Sequence, residues 1–233
     1  MSLPFFYEPT INSSVSHFTL SEETSKHCIQ VLRMKMGEKL QLTDGKGLLC
    51  TASIASEDKK KAVATIERTE NIPPPSKKVG IAISLLKNVA RFEWFLEKAT
   101  EIGVTHIQPL ICARTEHSRF KTERMRGILI SAMLQSQQVW LPEMPEPIRF
   151  EQYIHQKNAS QKLIAHCEEK EKRSISDIPP ADDTLILIGP EGDFTPSEIE
   201  TALSQGYIPV TLGETRLRTE TAGMVAIALL ANR

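Results

Sequence analysis

The chain has 233 residues, 40% hydrophobic and 24% charged, with 28 Lys and Arg against 29 Asp and Glu and a formal charge of -1. That is an ordinary globular balance, long enough for one large domain or two modest ones, and it offers no global attraction to nucleic acid, so any such binding must come from local patches. No apolar run could span a bilayer, residues 1–9 lack the basic-then-apolar order of a secretion signal, and Cys28, Cys50, Cys112 and Cys167 lack the paired spacing of a disulfide framework or zinc site. The expectation is a cytoplasmic protein with no membrane association and no metal.

In chain order, residues 21–32 read as one short helix with Ser21 as N-cap. Residues 39–43 alternate, with Leu40 and Leu42 on one face, and Asp44-Gly45 signals a tight turn. Residues 48–54 and 62–66 read as strands, with Lys59-Lys60-Lys61 as a charged hairpin tip between them. Together, residues 1–72 form a small β-barrel domain. Pro73-Pro74-Pro75 fits neither a helix interior nor a central strand, so residues 73–78 are a linker. Beyond it, strands at 79–86, 106–112, 163–166, 185–188 and 208–212 alternate with helices at 89–102, 122–139, 196–204 and 221–231. This alternation predicts an α/β domain over 79–233 with a mainly parallel sheet. The last helix is apolar nearly all round from Met224 to Leu230, which requires burial within the layers or against a partner subunit.

Two turns carry the chemistry. Leu185-Ile186-Leu187-Ile188 runs into Gly189-Pro190-Glu191-Gly192-Asp193-Phe194; Thr195, Pro196 and Glu198 then spell a capping box with Pro at the first helical position. Such a turn sits where open α/β sheets bind ligands, and glycine lets main chain approach a ligand without a Cβ in the way. Read alone it is equally a tight strand-to-helix connection. The second turn runs from Gly213 through Glu214, Thr215, Arg216, Leu217, Arg218, Thr219, Glu220 and Thr221 to the last helix. Its own reading is helix capping by Thr219 or Thr221, with Glu220 favoured by the helix dipole. Neither turn is G-x-G-x-x-G or G-x-x-x-x-G-K-[ST], and the chain has no H-E-x-x-H or C-x-x-C, so a dinucleotide, ATP or metal-hydrolase chemistry is disfavoured.

Taken together, GPEGDF and LGETRLRTETA resemble the signature of the ribosomal RNA uridine N3-methyltransferases, bacterial members of the SPOUT methyltransferases. The resemblance extends over nearly the whole chain, through His27, Val31-Leu32-Arg33, Gly37-Glu38, Asp44-Gly45, Lys87, residues 98–104, Pro109, Arg114 and Gln135-Ser136. Two positions depart from the family's usual Glu and Arg, which here are Leu134 and Gln138. The resemblance implies a PUA-like or OB-like barrel followed by a SPOUT domain with a carboxyl-terminal trefoil knot. It also implies S-adenosylmethionine held in that knot, 16S rRNA or the small ribosomal subunit as substrate, and a homodimer with the active site near the subunit interface.

On that basis the cofactor is expected against Leu187, Ile188, Gly189, Pro190, Glu191, Gly192, Leu212, Gly213, Leu217, Thr219 and Thr221. Uridine nitrogen 3 must lose a weakly acidic proton, and an arginine beside it would stabilise the resulting charge. Arg218 is the first candidate and Arg114 the second, with Glu191 or Glu220 to accept the proton. RNA phosphates are expected at Arg33, Lys35, Arg114, Arg119, Lys121 and Arg124, although the basic run at 114–126 reads equally as a solvated surface. Two alternatives stand beside this reading. One is a ribose 2′-O-methyltransferase of the same superfamily, disfavoured by the barrel-first order and GPEG; the other is a non-catalytic rRNA-binding assembly factor, to which only Leu134 and Gln138 point.

Overall fold

A computed structural model describes residues 3–116, 120–156, 159–168 and 171–232. The chain divides into two compact units, Met1–Pro74 with Met133–Leu141, and Pro75–Ala132 with Pro142–Arg233.

The first unit is built on a five-stranded sheet of β1 (Phe5–Tyr7), β2 (His17–Thr19), β3 (Lys39–Thr43), β4 (Leu48–Ser56) and β5 (Val63–Asn71), in the order β1-β3-β4-β5-β2. Only the β1–β3 pair is parallel. Along β4, Leu48, Cys50, Ala52 and Ile54 alternate inward and join Leu40 and Leu42 in the core. β1 and β2, three residues each, are too short to show a period in the sequence. β5 runs five residues past the expected Ile66, because a register shift in its pairing at Thr51/Ala52 breaks the alternation that would have marked it. The expected helix at 21–32 is two pieces: α1 (Glu22–Lys26), whose Ser21 cap accepts from the Thr24 amide at 3.2 Å, and a π-turn at His27–Val31. The indole of Trp140 donates to the carbonyls of Ile72 (3.2 Å) and Pro73 (3.1 Å).

The second unit is a seven-stranded sheet, parallel throughout. Its strands are β6 (Lys78–Ser84), β7 (His106–Ile111), β8 (Ile148–Arg149), β9 (Gln161–Ala165), β10 (Arg173–Ser174), β11 (Asp183–Ile188) and β12 (Ile208–Thr211), in the order β10-β12-β9-β11-β6-β7-β8. The helices are α2 (Val89–Ile102), α3 (Thr122–Gln135, whose residues from Met133 on count with the first unit), α4 (Phe150–Tyr153), α5 (Pro196–Ser204) and α6 (Thr219–Ala231). Central β6 and β11 are buried on both faces, as helix-covered parallel strands must be. α3 ends four residues short of the expected Val139, where Gln137 turns left-handed (φ 57°) and the Gln138 amide closes onto Met133 O at 2.9 Å. α6 begins two residues earlier than expected, at Thr219, which makes Arg218 its N-cap. Gly223 lets α6 close on the sheet and α2, since a Cβ there would stand 2.7 Å from the Phe95 ring and 3.0 Å from Ile83. Among the described residues, no helix is long and apolar enough to cross a membrane, and no group of three or more His, Cys, Asp or Glu could hold a metal.

Candidate active site

β12, β9 and β11 lie side by side and parallel, so their carboxyl ends open together on one edge of the sheet. Open α/β sheets bind ligands at such edges. A cavity of about 490 Å³ lies there, lined by residues 165–167 after β9, residues 188–191 after β11 and residues 210–219 after β12, with Lys172, Asp193 and Ala222 completing the wall.

The turn after β11 is braced from within and from both flanks. Phe194 folds back into the core, 1% exposed, and its ring centroid lies 5.5 Å from that of Phe150. A Cβ on Gly189 would meet the Phe194 amide and ring at 3.0 Å, so the turn's own closure favours glycine there as well. Asp193 adopts φ 64°, and its carboxylate accepts from its neighbour Phe194 N (2.8 Å) and from Cys167 N beyond β9 (2.7 Å). On the opposite flank the Arg114 guanidinium donates to Gly192 O (2.7 Å) and Phe194 O (3.4 Å). The capping box then starts α5: Thr195 Oγ1 accepts from Glu198 N (3.2 Å) while Glu198 Oε2 accepts from Thr195 N (2.8 Å). The other Glu198 oxygen accepts from Ala113 N at 2.8 Å.

The segment after β12 is shaped by Gly213, whose φ of 141° disfavours any side chain although nothing stands within 4 Å of a Cβ there. Residues 213–216 are exposed, Leu217 is half-buried against the cavity, and exposed Arg218 caps α6 without a side-chain hydrogen bond. Thr219 and Ala222, one helical turn apart, face the cavity.

Of the residues expected to hold a cofactor, Ile188, Gly189, Pro190, Glu191, Leu212, Gly213, Leu217 and Thr219 line the cavity. Leu187 points to the opposite face of β11, fully buried with Phe194 and Ile199; Gly192 and Thr221 lie beside the cavity without lining it. Arg218 and Glu191 line it and are exposed. Glu220 does not line it: the side chain is buried, one oxygen 3.7 Å from Arg91 and the other without a hydrogen-bond partner among the described residues. Lys121 is exposed, Arg124 forms a two-point ion pair with Glu93, exposed Arg33 has φ 56°, and Lys35 pairs with Glu57 at 3.4 Å. Arg119 and its neighbour His117 lie outside the described residues. Sequence reasoning missed Ala165, His166, Cys167 and Lys172 in the cavity wall, because nothing local announces that β9 sits between β11 and β12.

The Lys87 ammonium, 2.6 Å from Glu116, is raised in pKa by that hydrogen bond, with Glu191 adding a smaller contribution. Burial, then the Glu198 charge, pushes the Cys112 thiol up to about 12, so it stays protonated.

A family model described as the RNA methyltransferase domain matches residues 73–231, and one described as the RNA methyltransferase PUA domain matches residues 20–67. Ribosomal RNA small subunit methyltransferase E of Synechocystis sp. is 30% identical over 221 residues, covering 90% of this chain and 71% of its own length. A crystal structure of ribosomal RNA small subunit methyltransferase E from Neisseria gonorrhoeae, bound to S-adenosyl methionine, is 31% identical with a TM-score of 0.87 over 97% of this chain and 96% of that one. A Porphyromonas gingivalis crystal structure is 40% identical, with a TM-score of 0.90 over 99% of each chain. The resemblance carried by GPEGDF and LGETRLRTETA thus holds across both units, and the chain belongs to the ribosomal RNA small subunit methyltransferase E family of RNA methyltransferases.

Proposed function

We propose that the chain methylates ring nitrogen 3 of a specific uridine in 16S ribosomal RNA, with S-adenosylmethionine bound in the cavity at the ends of β9, β11 and β12. The observation that carries this reading is the cavity's wall, which brings the glycine turn at residues 188–191 and the segment 210–219 together, with the apolar Ile188, Leu212 and Leu217 among the lining residues. About 490 Å³ falls within the range of small-ligand sites, and a wall of glycines, apolar side chains and a few polar groups suits an adenine and a ribose. When bound, the cofactor supplies an electrophilic methyl group on its sulfonium.

The protein's part is to place the acceptor nitrogen and manage one proton. Arg218 is assigned to the charge that spreads onto the uracil carbonyls when the proton leaves, because its guanidinium is exposed at the cavity wall and uncommitted to the helix cap. Arg114 is the second choice, its guanidinium already committed to two carbonyls. Glu191, exposed on the wall, is assigned the proton ahead of Glu220, which is buried beside Arg91. Arg33, Lys35, Arg114, Arg119, Lys121 and Arg124 are assigned to phosphate contacts, with Arg124 the weakest because Glu93 already neutralises it. Residues 1–72 serve as the RNA-binding domain, 73–78 as linker and 79–233 as the catalytic domain.

The return of β12 to the far side of β9 after β11 supports a trefoil knot around this cavity. The half-buried Met224, Val225 and Leu229 of α6, with Trp94 of α2 47% exposed, support a homodimer. The test is nucleoside mass spectrometry of small-subunit rRNA after reaction with the protein and S-adenosylmethionine. 3-Methyluridine is expected. A 2′-O-methylated nucleoside would move the assignment to the ribose, and cofactor binding without methyl transfer would favour an assembly factor.

A further inference from the structure

We propose that Glu198 and Arg114 form a two-point clasp that fixes the cofactor turn after β11 to the loop after β7, making Glu198 a positioning residue for methyl transfer and not only a helix cap. The inference rests on the cavity being the cofactor site.

Glu198 is 5% exposed, and its two oxygens serve different elements. Oε2 completes the capping box with Thr195 N and Oγ1 at 2.8 and 2.9 Å, which is a local duty. Oε1 accepts from Ala113 N at 2.8 Å, across 85 residues of sequence, and helix capping has no use for that bond. The adjacent residue, Arg114, reaches the same turn from above, donating to Gly192 O and Phe194 O. Its aliphatic stem also packs on the turn, since a Cβ on Gly192 would lie 3.4 Å from Arg114 Cδ. The loop that presents these groups is itself closed by Thr115, whose hydroxyl accepts from Cys112 N (2.8 Å) and shares a hydrogen bond with Ser84 Oγ (2.7 Å).

The geometry explains the placement. β7 and β11 are not neighbours; β6 lies between them. No ladder hydrogen bond can therefore set the β7 loop against the turn that lines the cavity, and side-chain bonds from a buried carboxylate and a guanidinium must do so. Asp193 performs the same service on the β9 flank through Cys167 N. With both flanks tied, residues 189–191 are held where a displacement of about 1 Å would cost on the order of a hundredfold in rate.

The test compares Arg114→Ala, Glu198→Gln and Thr195→Ala in the full chain, reading amide hydrogen exchange in residues 191–195 without cofactor and S-adenosylmethionine affinity by calorimetry. Arg114→Ala, at an exposed position, keeps the fold. Thr195→Ala removes the cap hydroxyl and its bond to Glu198 Oε2 but leaves Oε1 on Ala113 N, and so controls for helix fraying. The expectation is exchange at least tenfold faster in that turn, and affinity at least fivefold weaker, in Arg114→Ala and Glu198→Gln. Thr195→Ala should hold its affinity within twofold. Unchanged exchange in Arg114→Ala, or equal affinity losses in all three variants, overturns the clasp. Faster exchange in a protein whose wild type binds no S-adenosylmethionine sinks the cofactor assignment instead and leaves the clasp as a structural tie.

Discussion

Arg218 ends an extended residue before α6, so its side chain leaves the backbone at the cavity wall instead of along the helix. If it stabilises the uracil anion, Arg218→Ala should lower kcat by about 10²-fold while S-adenosylmethionine affinity stays within about threefold, since removing one oriented donor to developing charge costs roughly that much. Wild-type turnover in the variant would take Arg218 out of the reaction. Cysteine chemistry offers a second handle. Cys28, Cys50 and Cys112 are buried, and burial raises the thiol pKa of each, Cys28 and Cys112 to about 12; Cys167 is exposed on the cavity wall. A disulfide-exchange reagent should therefore titrate one thiol quickly in the native protein, and S-adenosylmethionine should slow that reaction. Equal rates with and without the cofactor would place the ligand elsewhere.

At the scale of elements, packing and charge both leave measurable signs. α6 reaches the sheet only because Gly223 carries no Cβ. Gly223→Ala must push Phe95 or Ile83 aside and should destabilise the fold by about 1–3 kcal/mol in urea unfolding, despite alanine's higher helix propensity. His106, at the start of β7, has its pKa lowered chiefly by burial, with Glu143 at 3.7 Å acting in the opposite direction. A base whose folded pKa is depressed stabilises the native state fully above its unfolded value near 6.5. That contribution shrinks as pH falls, because the unfolded chain takes up the proton first. His106→Gln should thus flatten the stability profile below about pH 6.5. An unchanged slope would show that the imidazole titrates alike in both states.

For the whole molecule, a ligand that binds only the folded chain stabilises it by mass action. S-adenosylmethionine at a hundred times its Kd should add about 2.7 kcal/mol, read as a rise in Tm that grows with the logarithm of concentration. A Tm indifferent to the cofactor would mean that the cavity does not take it. The arrangement that makes this possible is nonlocal: three strands whose carboxyl ends run from Ala165 to Thr211 in the chain bring those ends to one cavity.

How much of this was legible beforehand depends on the range of the interaction that decides it. The α5 start was readable because Thr195, Pro196 and Glu198 interact within four residues, and α2 because its apolar spacing and Gly103 are local signals. The parallel class of the second sheet followed from strand-helix alternation, and the two glycine turns carried the family. Strand order, the burial of Glu220 against Arg91, the neighbours of Cys167 and the reach of Glu198 to Ala113 were not readable. Each joins residues far apart in the chain, and no short-range periodicity or propensity records which of the possible partners the packed sheet brings together. The sequence by itself determined the family, most of the longer elements and the two turns. Only the tertiary structure decided which groups meet at the cavity, because adjacency across a parallel sheet is set by the packing of the whole layer rather than by any stretch of the chain.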